Sequence, residues 1–185
     1  IATGHEDNNV RIWSIEKQEC IKIFTGHNQR VSRLVFSADN KTLITLGEDR
    51  KLIFWDLNNS QNLKSIQSHN ISFLSVSFSH DHKFFVSGSS DGMIRLWNRT
   101  INKCVKTFSG HSSWVLYVAF SPDDKYIASG GEDNTVRLWN LNDGTSQVLT
   151  AHSSWVMSVA FSHDGKFLAS ASNDETVKIW DMQNL

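Results

Sequence analysis

The chain has 185 residues, a formal net charge of −1, 39% hydrophobic and 20% charged residues, and a single proline. This composition excludes a disordered chain, and no apolar run reaches the roughly 18 residues that a membrane span needs. A broad phosphate-binding face would require a basic excess that is absent, so no nucleic-acid partner is expected. Two cysteines, Cys20 and Cys104, are too few for a disulfide framework and fit a reducing setting, cytoplasmic or nuclear. No signal peptide is visible, although the chain opens at Ile1 rather than at a methionine.

Repeats order everything else. Trp13, Trp55, Trp97, Trp139 and Trp180 are separated by 42, 42, 42 and 41 residues, and Asp7, Asp49, Asp91, Asp133 and Asp174 keep the same intervals. His27, His69, His111 and His152 run in the same phase, each 22 residues before its aspartate. The one missing residue therefore falls between Trp139 and His152, and a loop is expected there because loops tolerate deletion.

In chain order, residues 1–24 hold the end of a second strand, a third strand reaching Trp13 and a fourth near Cys20–Phe24. Full repeats follow over 27–66, 69–108 and 111–150, and 152–185 is a repeat without its last strand. The repeat at 111–150 shows the plan. A first strand covers 115–120, and Ser121-Pro122-Asp123-Asp124-Lys125 makes a turn with Pro122 at the second position of type I. A second strand spans 126–130, Gly131–Asn134 reverses the chain, a third covers 135–140, and a looser fourth covers 146–150. Ser-x-Asp-x-Lys recurs at the first turn of all four later repeats. Val115 and Val118 are three apart, which breaks period two and predicts a β-bulge in the first strand. Apolar residues on both faces of the middle strands predict sheets sandwiched between neighbours. The fold class is all-β: four-stranded antiparallel sheets stacked as the blades of a propeller, with four to five blades represented.

Asp91…Trp97, Trp55-Asp56, Trp180-Asp181 and the pairs Gly26-His27 and Gly110-His111 resemble the WD-repeat family. The resemblance covers essentially the whole chain. Some copies depart from it: Ser68 and Ala151 replace the glycine, and Asn98 and Asn140 replace the final aspartate. The resemblance implies a buried relay of His, Ser or Thr, Asp and Trp in each blade. The matching sets are His27-Thr45-Asp49-Trp55, His69-Ser87-Asp91-Trp97, His111-Ser129-Asp133-Trp139 and His152-Ser170-Asp174-Trp180. The chemistry closes on itself, since indole N–H donates, hydroxyl and imidazole do both and carboxylate accepts. Gly4-His5 looks like the motif dipeptide, but His5 aligns with Gly47, so it is not expected in a relay. Family members usually close a ring of seven blades, so the chain is expected to be part of a longer one. A closed four-blade ring would need the strand at Cys20–Phe24 to complete the last sheet.

The same resemblance places two slots on the narrower, partner-binding face of each blade. The slot opening the innermost strand holds Arg30, Ser72, Trp114 and Trp155. The slot before the turn aspartate holds Glu48, Ser90, Glu132 and Asn173. Two indoles with Glu132 between them suit a peptide with an apolar anchor and a basic neighbour, because Trp and Arg dominate hot spots.

Enzyme chemistry has little support. Ser129, His111 and Asp133 are the residue types of a hydrolase triad, but their recurrence in every repeat suits architecture, and no nucleophile elbow, phosphate loop or zincin motif occurs. No catalytic residue, metal site or cofactor is therefore expected. His80-x-His82 and His163 read as exposed turn residues without a carboxylate or thiol partner. Cys20 and Cys104 read as buried packing on the outer strand. The acceptor patterns at Asn40, Asn58 (to Ser60), Asn70 and Asn98 read as by-products of an Asn- and Ser-rich sequence. The expected function is a non-enzymatic scaffold or adaptor that holds proteins or peptides. The alternative is a regulatory module of a larger enzyme or signalling protein.

Overall fold

The computed structural model describes every residue except Ala38, Ser60, Asn102 and Ala151. The acceptor pattern ending at Ser60 and the glycine replacement at Ala151 thus lie outside the described residues. Among the described residues the fold is all-β, with five antiparallel sheets of three or four strands. Its contacts divide into two compact units, Ile1–Phe73 and Leu74–Leu185.

The first unit holds two sheets. Sheet one is β1 (Ala2–Gly4), β2 (Val10–Ser14) and β3 (Glu19–Phe24); sheet two is β4 (Val31–Phe36), β5 (Thr42–Gly47), β6 (Lys51–Asp56) and β7 (Asn62–Gln67). Val10, Ile12 and Phe24 of the first pack with Val31, Leu43, Ile53 and Trp55 of the second in one apolar cluster. β3 hydrogen-bonds to β2, so the strand at Cys20–Phe24 completes the first sheet and not the last.

Sheet three begins at the unit boundary with β8 (Phe73–Phe78), followed by β9 (Phe84–Ser89), β10 (Ile94–Asn98) and β11 (Lys103–Phe108). Sheet four is β12 (Val115–Phe120), β13 (Tyr126–Gly131), β14 (Val136–Asn140) and β15 (Ser146–Leu149). Sheet five is β16 (Val156–Phe161), β17 (Phe167–Ser172) and β18 (Val177–Asp181). Within the second unit, successive sheets stack face to face. Val86, Ile94 and Phe108 pack against Val115, Val118 and Ile127, and Ala128, Val136 and Leu149 pack against Val156, Val159 and Leu168. A side chain at Gly88 would meet Val115, and one at Gly130 would meet Val156, at under 3 Å. Glycine at these two points is what lets each first strand approach its predecessor.

The bulge expected in the first strand is present. Val115 pairs with Gly131 and Tyr117 with Gly130, so Leu116 is the extra residue, and the register shifts alike in β4 and β16. The middle strands β9 and β13 are buried at all but their first residue, as the two-faced apolar pattern predicted. The first turn of each later repeat is one device. Ser121 Oγ donates to Asp123, the Tyr126 and Lys125 amides donate to Ser121 Oγ and Asp123, and Asp124 takes a positive φ of 56°. Ser79-Asp81 and Ser162-Asp164 repeat it, with His82 and Gly165 at positive φ.

The missing residue of the 41-residue step is not in a loop. Trp13, Trp55 and Trp97 pair with Cys20, Asn62 and Cys104, while the residues before them pair with Lys22, Lys64 and Lys106, so Ile21, Leu63 and Val105 are bulged out. In sheet four Trp139 pairs with Ser146 and Leu138 with Gln147, with no residue between. The deletion removes the bulge of the outer strand and leaves both flanking loops at their usual lengths.

Candidate functional site

Three relays close as the residue types demanded. Trp55 donates to Thr45 Oγ1 at 2.8 Å, that hydroxyl is 2.7 Å from His27 Nε2, and His27 Nδ1 is 3.0 Å from Asp49. Trp139, Ser129, His111 and Asp133 repeat this at 2.8, 2.7 and 2.9 Å. Trp180, Ser170, His152 and Asp174 do so at 3.0, 2.8 and 2.8 Å. Each aspartate also accepts the amide that follows its histidine: Asn28, Ser112 and Ser153.

The hydroxyl oxygen accepts the indole N–H, and its own proton is satisfied by His27 or His111 Nε2 when that ring is neutral and carries its proton on Nδ1, facing the carboxylate. Electrostatics agree. Burial pushes His27 and His111 below the ordinary histidine value, although the neighbouring aspartate pulls the other way. Burial raises Asp49 and Asp133, but hydrogen bonds outweigh it and hold both carboxyls below the usual range: those from the Asn28 amide and His27 for Asp49, and from Thr135, His111 and the Ser112 amide for Asp133.

The set written as His69-Ser87-Asp91-Trp97 is built differently. Trp97 donates to Ser87 at 2.9 Å, but Asp91 is gripped by Arg95 at 2.6 Å and by Ser89 at 2.8 Å, and His69 is exposed. Arg95, four residues after the aspartate, holds the carboxylate. Sheet one has the same ion pair, with Asp7 bound to Arg11. There His5 corrects the alignment-based expectation: its Nε2 is 2.7 Å from Thr3 Oγ1, which accepts the Trp13 indole at 2.7 Å. A histidine from the turn after β1 reaches the hydroxyl that elsewhere meets one preceding the first strand. Residue spacing alone gave no sign of this, because the contact depends on the path of the turn.

Ser129, His111 and Asp133 stand in hydrolase-like order, yet Ser129 is wholly buried and its oxygen receives the Trp139 N–H. The same atoms recur with a threonine at position 45. The geometry is that of an internal brace.

The second pair of tryptophans is deployed outward. Trp114 and Trp155 are 47% and 45% exposed, one residue before β12 and β16. The two predicted slots meet through the backbone: Glu132 N donates to the Trp114 carbonyl, Asn173 N to that of Trp155 and Glu48 N to that of Arg30, each at 2.9 Å. Glu132 also accepts from Ser113 Oγ at 2.6 Å, and Asn134 Nδ2 reaches the Ser153 carbonyl at 3.5 Å. The Glu132 turn is thus tied on one side to Trp114 and on the other to the segment entering Trp155. In the first unit Arg30 and Glu48 form an exposed pair at 4.0 Å. Ser72 and Ser90 are half-buried.

Two minor expectations change. His80 has a carboxylate partner after all: Asp124, from the corresponding turn of the next sheet, accepts from its ring at 3.0 Å and from the His80 and Asp81 amides at 2.8 Å each. Cys20 is half-buried and Cys104 exposed, so neither is core packing. Among the described residues no group of three or more His, Cys, Asp or Glu side chains is placed to hold a metal.

Sequence reasoning also missed a lysine brace. The Lys22 ammonium donates to the Leu57 carbonyl of the next sheet, and Lys106 donates to that of Leu141 at 3.3 Å. The signal was available: Lys22, Lys64 and Lys106 each stand nine residues after a repeat tryptophan.

The family model for the WD domain, G-beta repeat, matches residues 18–56, 60–98, 102–140 and 144–181. The chain belongs to the WD-repeat family. Each match starts just before an outer strand and ends at or just after a repeat tryptophan, so it straddles two sheets. Among curated WD-repeat relatives, the nuclear distribution protein PAC1 of Mycosarcoma maydis is 39% identical over 46 residues, 25% of this chain and 10% of that protein. Transducin beta-like protein 3 of Bos taurus is 37% identical over 22% of this chain and 5% of its own length. Periodic tryptophan protein 2 of Arabidopsis thaliana is 40% identical over 24% of this chain and 5% of its own. The matched stretches span a tenth or less of these relatives.

Proposed function

We propose that the chain is part of a non-enzymatic WD-repeat scaffold that binds a protein or peptide on the face carrying Trp114 and Trp155. The observation that carries this reading is the contrast between two classes of tryptophan. Trp55 and Trp139 are 2% exposed and spend their N–H groups on the relay, whereas Trp114 and Trp155 present nearly half of their surface to solvent from matching positions on neighbouring sheets. An exposed indole is costly to leave bare and is a favoured anchor at interfaces. Glu132, held beside Trp114, adds a carboxylate for a basic residue next to the anchor. Ser90 and Asn173 occupy the corresponding slots of the same unit and would extend the surface; Arg30, Glu48 and Ser72 hold those slots in the first unit. On this reading the partner is a protein rather than nucleic acid, since a formal net charge of −1 leaves no basic excess, and the compartment is cytoplasmic or nuclear.

The test is affinity capture by the intact protein against its Trp114→Ala and Trp155→Ala variants, each confirmed folded by its thermal transition. Loss of captured partner in either variant supports the surface. Unchanged capture in the double variant refutes it.

A further inference from the structure

A cleft of about 470 Å³ opens between sheets four and five, and Tyr126, Leu138, Gln147, Gly165 and Met182 lie in its walls. It borders the first turns and the third-to-fourth-strand turns, whereas Trp114 and Trp155 precede the first strands, so it lies at the other end of the sheets. Its origin can be read residue by residue by comparison with the junction between sheets three and four. There Leu96 pairs with Lys106, whose ammonium reaches the Leu141 carbonyl, and Asp124 clamps the backbone at His80 and Asp81. Between sheets four and five both braces are gone. Leu138 pairs with Gln147, which is shorter and uncharged; Gly165 replaces Asp124, and Pro122, without an N–H, replaces His80. Met182 follows its repeat tryptophan by two residues, as Leu141 does. Among the described residues, none donates to the Met182 carbonyl as Lys106 does to that of Leu141.

We infer that this cleft is a binding site for a lysine side chain of a partner segment, which supplies from outside the ammonium that Lys106 supplies within the chain. The protein's own filled junction defines the ligand chemistry. The Lys106 ammonium lies 5.0 Å from the Phe108 ring centroid and donates to a backbone carbonyl. Leu138, Tyr126 and Met182 provide the apolar wall, and the rim carries Asp123 and Asp164, each already paired with a lysine of its own turn, Lys125 and Lys166. The exposed Gln147 leaves the entrance open.

The experiment is a methyl-NMR titration of the intact protein, labelled at methionine methyls, with Nα-acetyl-lysine methylamide as probe and Nα-acetyl-norleucine methylamide as its uncharged control. The Met182 methyl is expected to shift with the lysine probe and not with norleucine. Gln147→Lys, which places the missing ammonium on the chain itself, is expected to reduce that shift at least several-fold, while Trp114→Ala leaves it unchanged. Equal response to both probes, full response in Gln147→Lys, or a silent Met182 because following residues of the chain already fill the cleft would each overturn the inference. None of these outcomes touches the tryptophan face.

Discussion

The Trp139 indole donates its N–H to the Ser129 hydroxyl across 2.8 Å, and that hydroxyl is itself 2.7 Å from the His111 ring. One oxygen atom therefore joins the third strand of sheet four, its second strand and the loop before its first. Removing it strands two buried groups at once. Ser129→Ala should cost about 1–3 kcal/mol, a fall of several degrees in Tm for a chain of this size. Trp139→Ala should cost about 3–5 kcal/mol through the cavity it leaves. Equilibrium denaturation measures both, and a Ser129→Ala variant indistinguishable from the parent would contradict the brace.

Acid should weaken the fold in two stages. Burial lowers His27 and His111 from 6.5, so the folded chain resists protons that the unfolded chain accepts. Their contribution is complete above about 6.5 and declines as pH falls below it. Asp49 and Asp133, held below 3.8, add stability that is present above about 4 and lost as pH falls further. Denaturant midpoints measured from pH 7.5 downward should fall first across the histidine range, and a flat profile there would refute the neutral-ring assignment.

The Asp124 clamp should be visible amide by amide. Asp124→Ala removes the acceptor for the His80 and Asp81 N–H groups. Hydrogen exchange at those two positions should accelerate by an order of magnitude or more, while the amides of sheet five are unaffected. His80→Ala should leave both protected, because the ring bond is separate from the two backbone bonds.

Much of this was legible in the sequence, and the remainder shows where sequence reasoning stops. The tryptophan interval, the bulge implied by Val115 and Val118, and the hydroxyl four residues before each aspartate all depend on spacing along one repeat, and the structure follows them. Arg95 taking Asp91, His5 reaching Thr3 and Asp124 reaching His80 depend on competition between side chains or on a neighbouring turn. Nor could spacing place the missing residue in the outer-strand bulge, because a shortened loop and a straightened bulge leave the same interval.

Sheet five should make the isolated 185-residue chain self-associate. Val177 and Ile179 are 65% and 63% exposed on the same face of β18 as Phe167 and Ala169 of β17, whereas the matching Val136 and Leu138 in sheet four are buried. An apolar face of this kind promotes association. Light scattering during size-exclusion chromatography should show species larger than 21.0 kDa, and Val177→Thr with Ile179→Thr should shift them toward the monomer. A monomeric parent would refute the prediction.

Ile21, Leu63 and Val105 are exposed where the outer-strand ladder carries a spare residue, and sheet four shows that ladder closing without it. The outer strand is therefore a length buffer: insertions and losses there leave the indole-to-carboxylate spacing within each repeat fixed. Copies of this unit should be counted by their chemistry and not by their length.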